Sequence, residues 1–261
     1  MRAEPAFDGV DVDWEFPGGG DEKRAVLAGP ALARERSDFG ALLAELRGAL
    51  DGVRPLMLTA AVTGYDRAVA AVDWRAAAPR LDHVFVMAYD FTPEREFRRR
   101  GDFSGGGGLP GHHANLRATG PADEFGADAM VDRLLAAGVP AGKLVLGVGF
   151  YAREWTGARW VPGGFPGRGV AGAFKGAVPW RDLDLPGRAR RGQRIGRDER
   201  AGATFLHAPD GTFASFEDRW AICAKGRYAA ARGLGGLFAW EVGQDDGRLS
   251  AALAQAATRR C

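Results

Sequence analysis

Apolar and polar positions along this chain follow two periods. Five short runs rich in Val, Ile, Leu, Phe and Met, each ending in a polar or glycine-containing loop, read as strands at 6–15, 56–63, 83–89, 144–150 and 236–240. Between them the period lengthens to that of a helix. At 37–50, Phe39, Leu42, Leu43, Leu46 and Leu50 share one face, with Ser37 or Asp38 available as N-cap. A second helical pattern covers about 123–137 and stops at Gly138, and a third covers about 220–232 and stops at Gly233.

Alternating strands and helices imply parallel strands with helical crossovers, as in a doubly wound sheet or a (β/α) barrel. The barrel is favoured because polar and aromatic residues collect where several different strands end, at Glu15, at Tyr89-Asp90 and at Trp240. No glycine-rich dinucleotide loop follows the first strand, so a nucleotide-binding sheet has no site to point to. Residues 152–215 break the alternation with Gly, Pro and Arg, and contain a hairpin pattern, 204–207 and 212–216, around Ala208-Pro209-Asp210-Gly211. We expect an inserted α+β subdomain at 152–215, with 1–151 and 216–261 forming the barrel part. The stretch 103–111, with four glycines at 105–108, reads as a flexible loop and not a phosphate cradle, because no Lys-Ser/Thr follows it.

With 261 residues, 46% of them hydrophobic, the chain can bury the core of one large α/β domain. Its 35 basic and 33 acidic residues leave a formal charge of +2, which speaks against nucleic acid or an anionic membrane as partner and for a neutral ligand. The two cysteines form neither a disulfide framework nor a metal-ligand spacing, so Cys223 is expected as a buried thiol and Cys261 as a loose terminal one. No apolar run reaches the ~18–20 residues that span a bilayer, and Met1-Arg2-Ala3-Glu4-Pro5 does not begin a signal peptide.

The most informative residues are on the first strand. Side chains alternate along an extended chain, so Asp11, Asp13 and Glu15 point to one face, ~6.6 Å apart at each step. Three acids on an inward face are costly unless they share protons or do chemistry. Like charges at this range raise one pKa, leaving an acid able to donate near neutral pH, and Glu15 at the strand end is the natural donor. A wet edge strand and a Mg²⁺ or Ca²⁺ site are the alternatives that the spacing leaves open.

The whole string Asp8-Gly9-Val10-Asp11-Val12-Asp13-Trp14-Glu15 resembles the D-G-x-D-x-D-W-E signature of family 18 chitinases at every position. Met87-Ala88-Tyr89-Asp90 is similar to the family's M-x-Y-D strand end, Gly111-His112-His113-Ala114-Asn115-Leu116 to its G-H-x-x-x-L loop, Tyr151-Ala152-Arg153 to Y-G-R, and 234–240 to the last barrel strand with its Trp. The resemblance implies a TIM-type (β/α)8 barrel and a retaining glycosidase in which the substrate's own acetamido oxygen is the nucleophile. It implies Glu15 as general acid, Asp13 holding the acetamido N–H, Asp11 sharing a proton behind it, and Tyr89 donating to the acetamido oxygen. Trp240 would floor the sugar site, with Met87, Asp90, Tyr151 and Arg153 as further substrate contacts and Trp155, Trp160 and Trp180 as candidate chitin platforms. Trp14 is expected to pack outward. The resemblance further implies chitin or chitooligosaccharides as partner, no cofactor and no metal, a monomer if the barrel is complete, and secretion. On strand pattern alone, Tyr89 and Met87 beside Phe85 could simply fill the barrel, and Trp240 could be core.

Three departures stand against the pattern. The acid motif belongs to the fourth barrel strand in such relatives, so strands one to three are expected to be absent and the barrel incomplete. The stretch 91–97 lacks the family's small residue and Trp, and Ala152 replaces a glycine. An inert fragment, a chitin-binding lectin on the same fold, and cleavage of N-glycans or peptidoglycan are the competing readings.

Overall fold

The computed structural model describes residues 7–19, 26–91, 110–118, 125–160, 169–258 and 260–261. All five expected strands of the barrel part are present: β1 (Gly9–Val12), β2 (Met57–Val62), β3 (His83–Val86), β4 (Leu144–Gly149) and β10 (Gly236–Trp240). They form one parallel sheet in the order β1-β2-β3-β4-β10, the neighbour order of consecutive strands in a TIM-type barrel. Among the described residues the sheet is not closed, and β1 and β10 are its edges.

Strand alternation divides this sheet into two faces. Leu58, Ala60, Val62, Val84, Val86, Leu144 and Leu146 point outward into a core completed by Phe39, Leu43, Leu50, Met130, Val131 and Leu134. The last six lie on α1 (Gly29–Asp51) and α4 (Ala127–Ala137); two short helices, α2 (Asp66–Ala70) and α3 (Trp74–Ala77), lie between them in sequence. The opposite face carries Asp11, Thr59, Phe85, Gly147 and Phe238.

Helix α1 begins eight residues before the expected start, so Ser37 and Asp38 are interior, exposed positions and not caps. Pro30 in its first turn sacrifices an N–H that has no partner there anyway, and the Ala-Leu-Ala-Arg-Glu-Arg run that follows contains no breaker. Leu42, expected on the buried face, is 36% exposed. Helix α4 ends as expected at Gly138, in the left-handed region at φ 104°; the first residues of its expected range, 123 and 124, lie outside the described residues.

A second, antiparallel sheet follows β4 directly. It comprises β5 (Tyr151–Trp160), β6 (Gly169–Pro179), β7 (Arg194–Asp198), β8 (Ala203–His207) and β9 (Phe213–Phe216), in the order β6-β5-β9-β8-β7, with α5 (Leu185–Arg190) between β6 and β7. The expected hairpin is β8–β9. Gly211 turns it at φ 83°, where a Cβ would stand 2.9 Å from the Gly157 backbone. Two helices complete the chain, α6 (Arg219–Ala231), capped by the Asp218 carboxylate, and α7 (Arg248–Ala257). Phe150, Trp180, Phe216, Ile222 and Leu249 form a second core.

Two expectations are corrected here. Trp155 and Trp180 are buried, Trp155 completely, and the Trp180 indole donates to Asp246 at 3.1 Å, so neither is a platform for a polymer. The cysteines are bonded to each other, Cys223 to Cys261, with Cα atoms 5.5 Å apart across 38 residues. The close approach of α6 and α7 brings them together: a Cβ on Gly226 would stand 2.7 Å from the Ala256 methyl. Nothing in the spacing of two lone cysteines announces that contact.

Candidate active site

On β1, Val10, Val12 and Trp14 lean on the outer core, Trp14 edge-on to Phe39 at 5.7 Å between ring centroids. The alternation therefore turns Asp11, Asp13 and Glu15 to the other face, where all three are exposed. Ladder bonding ends at Val12, short of the expected strand end, yet the alternation continues to Glu15. The acid face opens to solvent and is not enclosed as its sequence suggested, which lowers the cost of keeping three carboxylates together. Register pairs Asp11 with Thr59 on β2, and the Thr59 hydroxyl donates to Asp11 Oδ1 at 2.5 Å. Although its side chain meets solvent, partial desolvation raises the Asp13 carboxyl above its ordinary range, and the neighbouring charge of Asp11 adds to the rise.

On β3 and in the residues that follow it, the same parity places Phe85, Met87 and Tyr89 on the site face. Tyr89 is 9% exposed. Its hydroxyl is pushed far above the usual phenol range, first by burial, then by the charges of Asp90, Glu15, Asp13 and Asp11. Asp11 on β1, Asp13 and Glu15 just beyond it and the Tyr89 hydroxyl thus belong to one face, and this phenol stays a proton donor. The Tyr89 ring lies over the bare Cα of Gly147, where a Cβ would come within 2.9 Å of Cε1. Phe238 and Tyr151 flank the ring, each 6.2 Å between centroids.

Asp90 follows at φ 57°, a left-handed conformation that Asp tolerates better than most residues. Its Oδ1 accepts from Arg153 Nη1 at 2.8 Å, and His113 Nδ1 lies 3.8 Å away. Arg153 is 5% exposed and stacks on the Phe174 ring, its Cζ 4.6 Å from the centroid. Burial, then Asp90, raise the Tyr151 hydroxyl well above its ordinary value. The loop carrying His113 is tied to the second sheet: His112 Nε2 lies 3.1 Å from Asp198 Oδ2, and the Ser215 hydroxyl accepts from the His113 N–H at 3.0 Å. Burial, above all, lowers His113 to about 3, so the ring is neutral.

Trp240 ends β10, in register with Gly149 and 51% exposed. The structure sets it at the opposite edge of the parallel sheet from Asp11, Asp13 and Glu15, with Met87, Tyr89 and Asp90 following the central strand β3, and Tyr151 and Arg153 on β5 of the second sheet directly after β4. Eight of the nine sequence-derived candidates therefore stand near the C-terminal ends of parallel strands or just beyond them, the face on which such barrels carry their chemistry, and Arg153 joins them from β5 through Asp90. Among the described residues, no three His, Cys, Asp or Glu side chains are arranged to hold a metal ion. The sequence residues 92–97 and 103–109 and the Trp160 side chain lie outside what the structure describes.

Sequence reasoning passes over Thr59, Gly147, Phe238 and the imidazole of His113. Gly147 carries a usable signal, since a glycine inside an apolar strand marks a close approach. Thr59 carries none, because its partner is 48 residues away.

The family model described as Glycosyl hydrolases family 18 matches residues 2–245. A probable endochitinase of Orgyia pseudotsugata multicapsid polyhedrosis virus is 36% identical over 259 residues, 93% of this chain and 44% of that protein. Among solved structures, a family 18 N-acetylglucosaminidase from Paenibacillus barengoltzii is similar with a TM-score of 0.77 at 31% identity, covering 97% of this chain and 72% of that one. A mutant class V chitinase from Nicotiana tobaccum in complex with NAG4 is similar with a TM-score of 0.74 at 26% identity, covering 96% and 68%. The chain spans 33% to 50% of the length of the first four curated relatives it matches.

Proposed function

The chain belongs to glycosyl hydrolase family 18, and from that premise we propose that it cleaves β-1,4 linkages between N-acetylglucosamine units of chitin by a retaining, substrate-assisted mechanism. In this reading Glu15 protonates the leaving glycosidic oxygen while the acetamido oxygen of the sugar attacks its own anomeric carbon. Asp13 accepts the acetamido N–H and offsets the charge of the oxazolinium ion, with Asp11 behind it. Tyr89 donates to the acetamido oxygen, and the Trp240 ring stacks on the apolar face of the sugar. Met87, Asp90, Tyr151 and Arg153 shape the pocket wall.

The observation that carries this reading is the placement of Asp11, Asp13 and Glu15 on one face of the parallel sheet, with Tyr89 turned to that same face just after β3, two strands away. A donor that cannot ionise, facing a cluster of carboxylates, suits an amide whose oxygen accepts and whose nitrogen donates. The NAG4 held by the tobacco enzyme supports the substrate class. We further propose 152–215 as an insertion on the catalytic part formed by 1–151 and 216–261, and a site of action outside the reducing cytosol. The Cys223–Cys261 disulfide supports that location.

Incubation of the protein and of Glu15→Gln with chitotetraose tests the assignment. Cleavage should release the β-anomer first, seen by proton NMR, and the variant should lose about 100- to 10,000-fold in kcat. Cleavage that persists undiminished in Glu15→Gln, or its absence in the parent protein, refutes it.

A further inference from the structure

The ammonium of Lys225 is completely buried on α6, hydrogen-bonded to two strand carbonyls and ion-paired with one carboxylate. It donates to Ala88 O at 3.0 Å and Gly147 O at 2.8 Å, and lies 2.9 Å from Glu217 Oε1. Glu217, also buried, uses its other oxygen to accept from the Gly149 N–H at 2.8 Å. Burial holds Lys225 below the ordinary lysine range and Glu217 above the ordinary carboxylate range. Neither group reaches the acid face, and ion pairs this deep are weak devices for stability alone.

What they touch is specific. Ala88 O belongs to the peptide that leads into Tyr89, and Gly147 is the residue whose bare Cα receives the Tyr89 ring. Gly149 borders Tyr151 and His113 so closely that a Cβ there would stand 3.2 Å from either ring. Resting on the functional reading above, we infer that Lys225 and Glu217 are positioning residues, which clamp the ends of β3 and β4 together so that the Tyr89 hydroxyl is held in line with the carboxylates of β1. The strand ladder cannot do this, because β3 stops at Val86. Beyond that point Lys225 supplies the cross-link that the backbone no longer makes.

The test uses Lys225→Met/Glu217→Gln, in which no unpaired charge is left buried. Hydrogen–deuterium exchange, measured well below the unfolding temperature, should accelerate at least tenfold over residues 86–91 and leave β2 and α4 unchanged. On chitotetraose, kcat should fall at least tenfold with KM within twofold, and the same pair placed in a Tyr89→Phe background should cost less than a further twofold. A structural role alone would give the full loss in both backgrounds. Unchanged exchange at 86–91, or full additivity with Tyr89→Phe, overturns the inference. If the parent protein does not cleave, the functional reading fails, while exchange at 86–91 still decides the clamp. If the double variant does not fold, Lys225→Gln, whose amide retains a donor, carries the same measurements with a smaller expected effect.

Discussion

Arg153 on β5 and Asp90 at the end of the β3 segment are joined by a 2.8 Å bond that links the antiparallel sheet to the parallel one. The two partners are unequal: the Arg153 side chain is 6% exposed and that of Asp90 47%. Loss of Asp90 therefore strands a buried guanidinium, whereas the carboxylate itself is half solvated.

Asp90 also occupies a left-handed conformation at φ 57°. Asp90→Ala loses the ion pair and keeps a strained backbone, for an expected cost of about 2 kcal/mol. Asp90→Gly loses the same pair but relieves the strain, so it should be about 1 kcal/mol more stable than the alanine variant. Urea unfolding of the two variants measures the difference, and equal midpoints would contradict the conformational argument.

His113 sets a pH dependence. Its folded pKa is about 3 against an ordinary 6.5, with burial the main cause and Arg153, Lys225 and His112 acting in the same direction against Asp90. Between those values the unfolded chain binds a proton that the folded chain refuses, so stability rises with pH through this window. The contribution is complete above about 6.5 and is lost as pH falls toward 3, with a slope of at most about 1.4 kcal/mol per pH unit. The slope between pH 4 and 6 should flatten by close to that amount in His113→Gln; an unchanged slope would show that the ring is not held neutral.

Gly147→Ala places a methyl 2.7 Å from Val86 O and 2.9 Å from the Tyr89 ring. The backbone oxygen cannot yield, so an overpacking cost of about 1–3 kcal/mol is expected, together with a displaced Tyr89 and reduced turnover. Gly48→Ala on α1 meets nothing within 4 Å and should instead stabilise by about 0.5–1 kcal/mol. Thermal unfolding of the pair separates the two cases.

Closing a loop of 38 residues with Cys223–Cys261 should contribute about 4 kcal/mol on the chain-entropy estimate, less any strain. A Cys261→Ser variant, or the reduced protein, should melt measurably lower than the oxidised form. Superimposable melting curves would show that the tether adds nothing.

Much of the frame is legible in the sequence because it depends on neighbours along the chain. The period of two on β1 tells which way Asp11, Asp13 and Glu15 face, and the parity of 85–89 puts Phe85, Met87 and Tyr89 together. Helix α1 reads too short, since amphipathic periodicity weakens at 29–36 while helix propensity does not. Trp155 and Trp180 mislead because an aromatic side chain looks the same in sequence whether it meets polymer or core.

From its order of residues alone, then, this protein settles its five parallel strands, the side each strand presents and the acids at the strand ends, all consequences of local backbone geometry. The folded structure decides which distant groups meet: Thr59 with Asp11, Arg153 with Asp90, Lys225 with Glu217 and two strand carbonyls, Cys223 with Cys261. Those meetings depend on how sheets and helices pack, and packing is driven by burial that carries no record of which polar partner will be found beneath it.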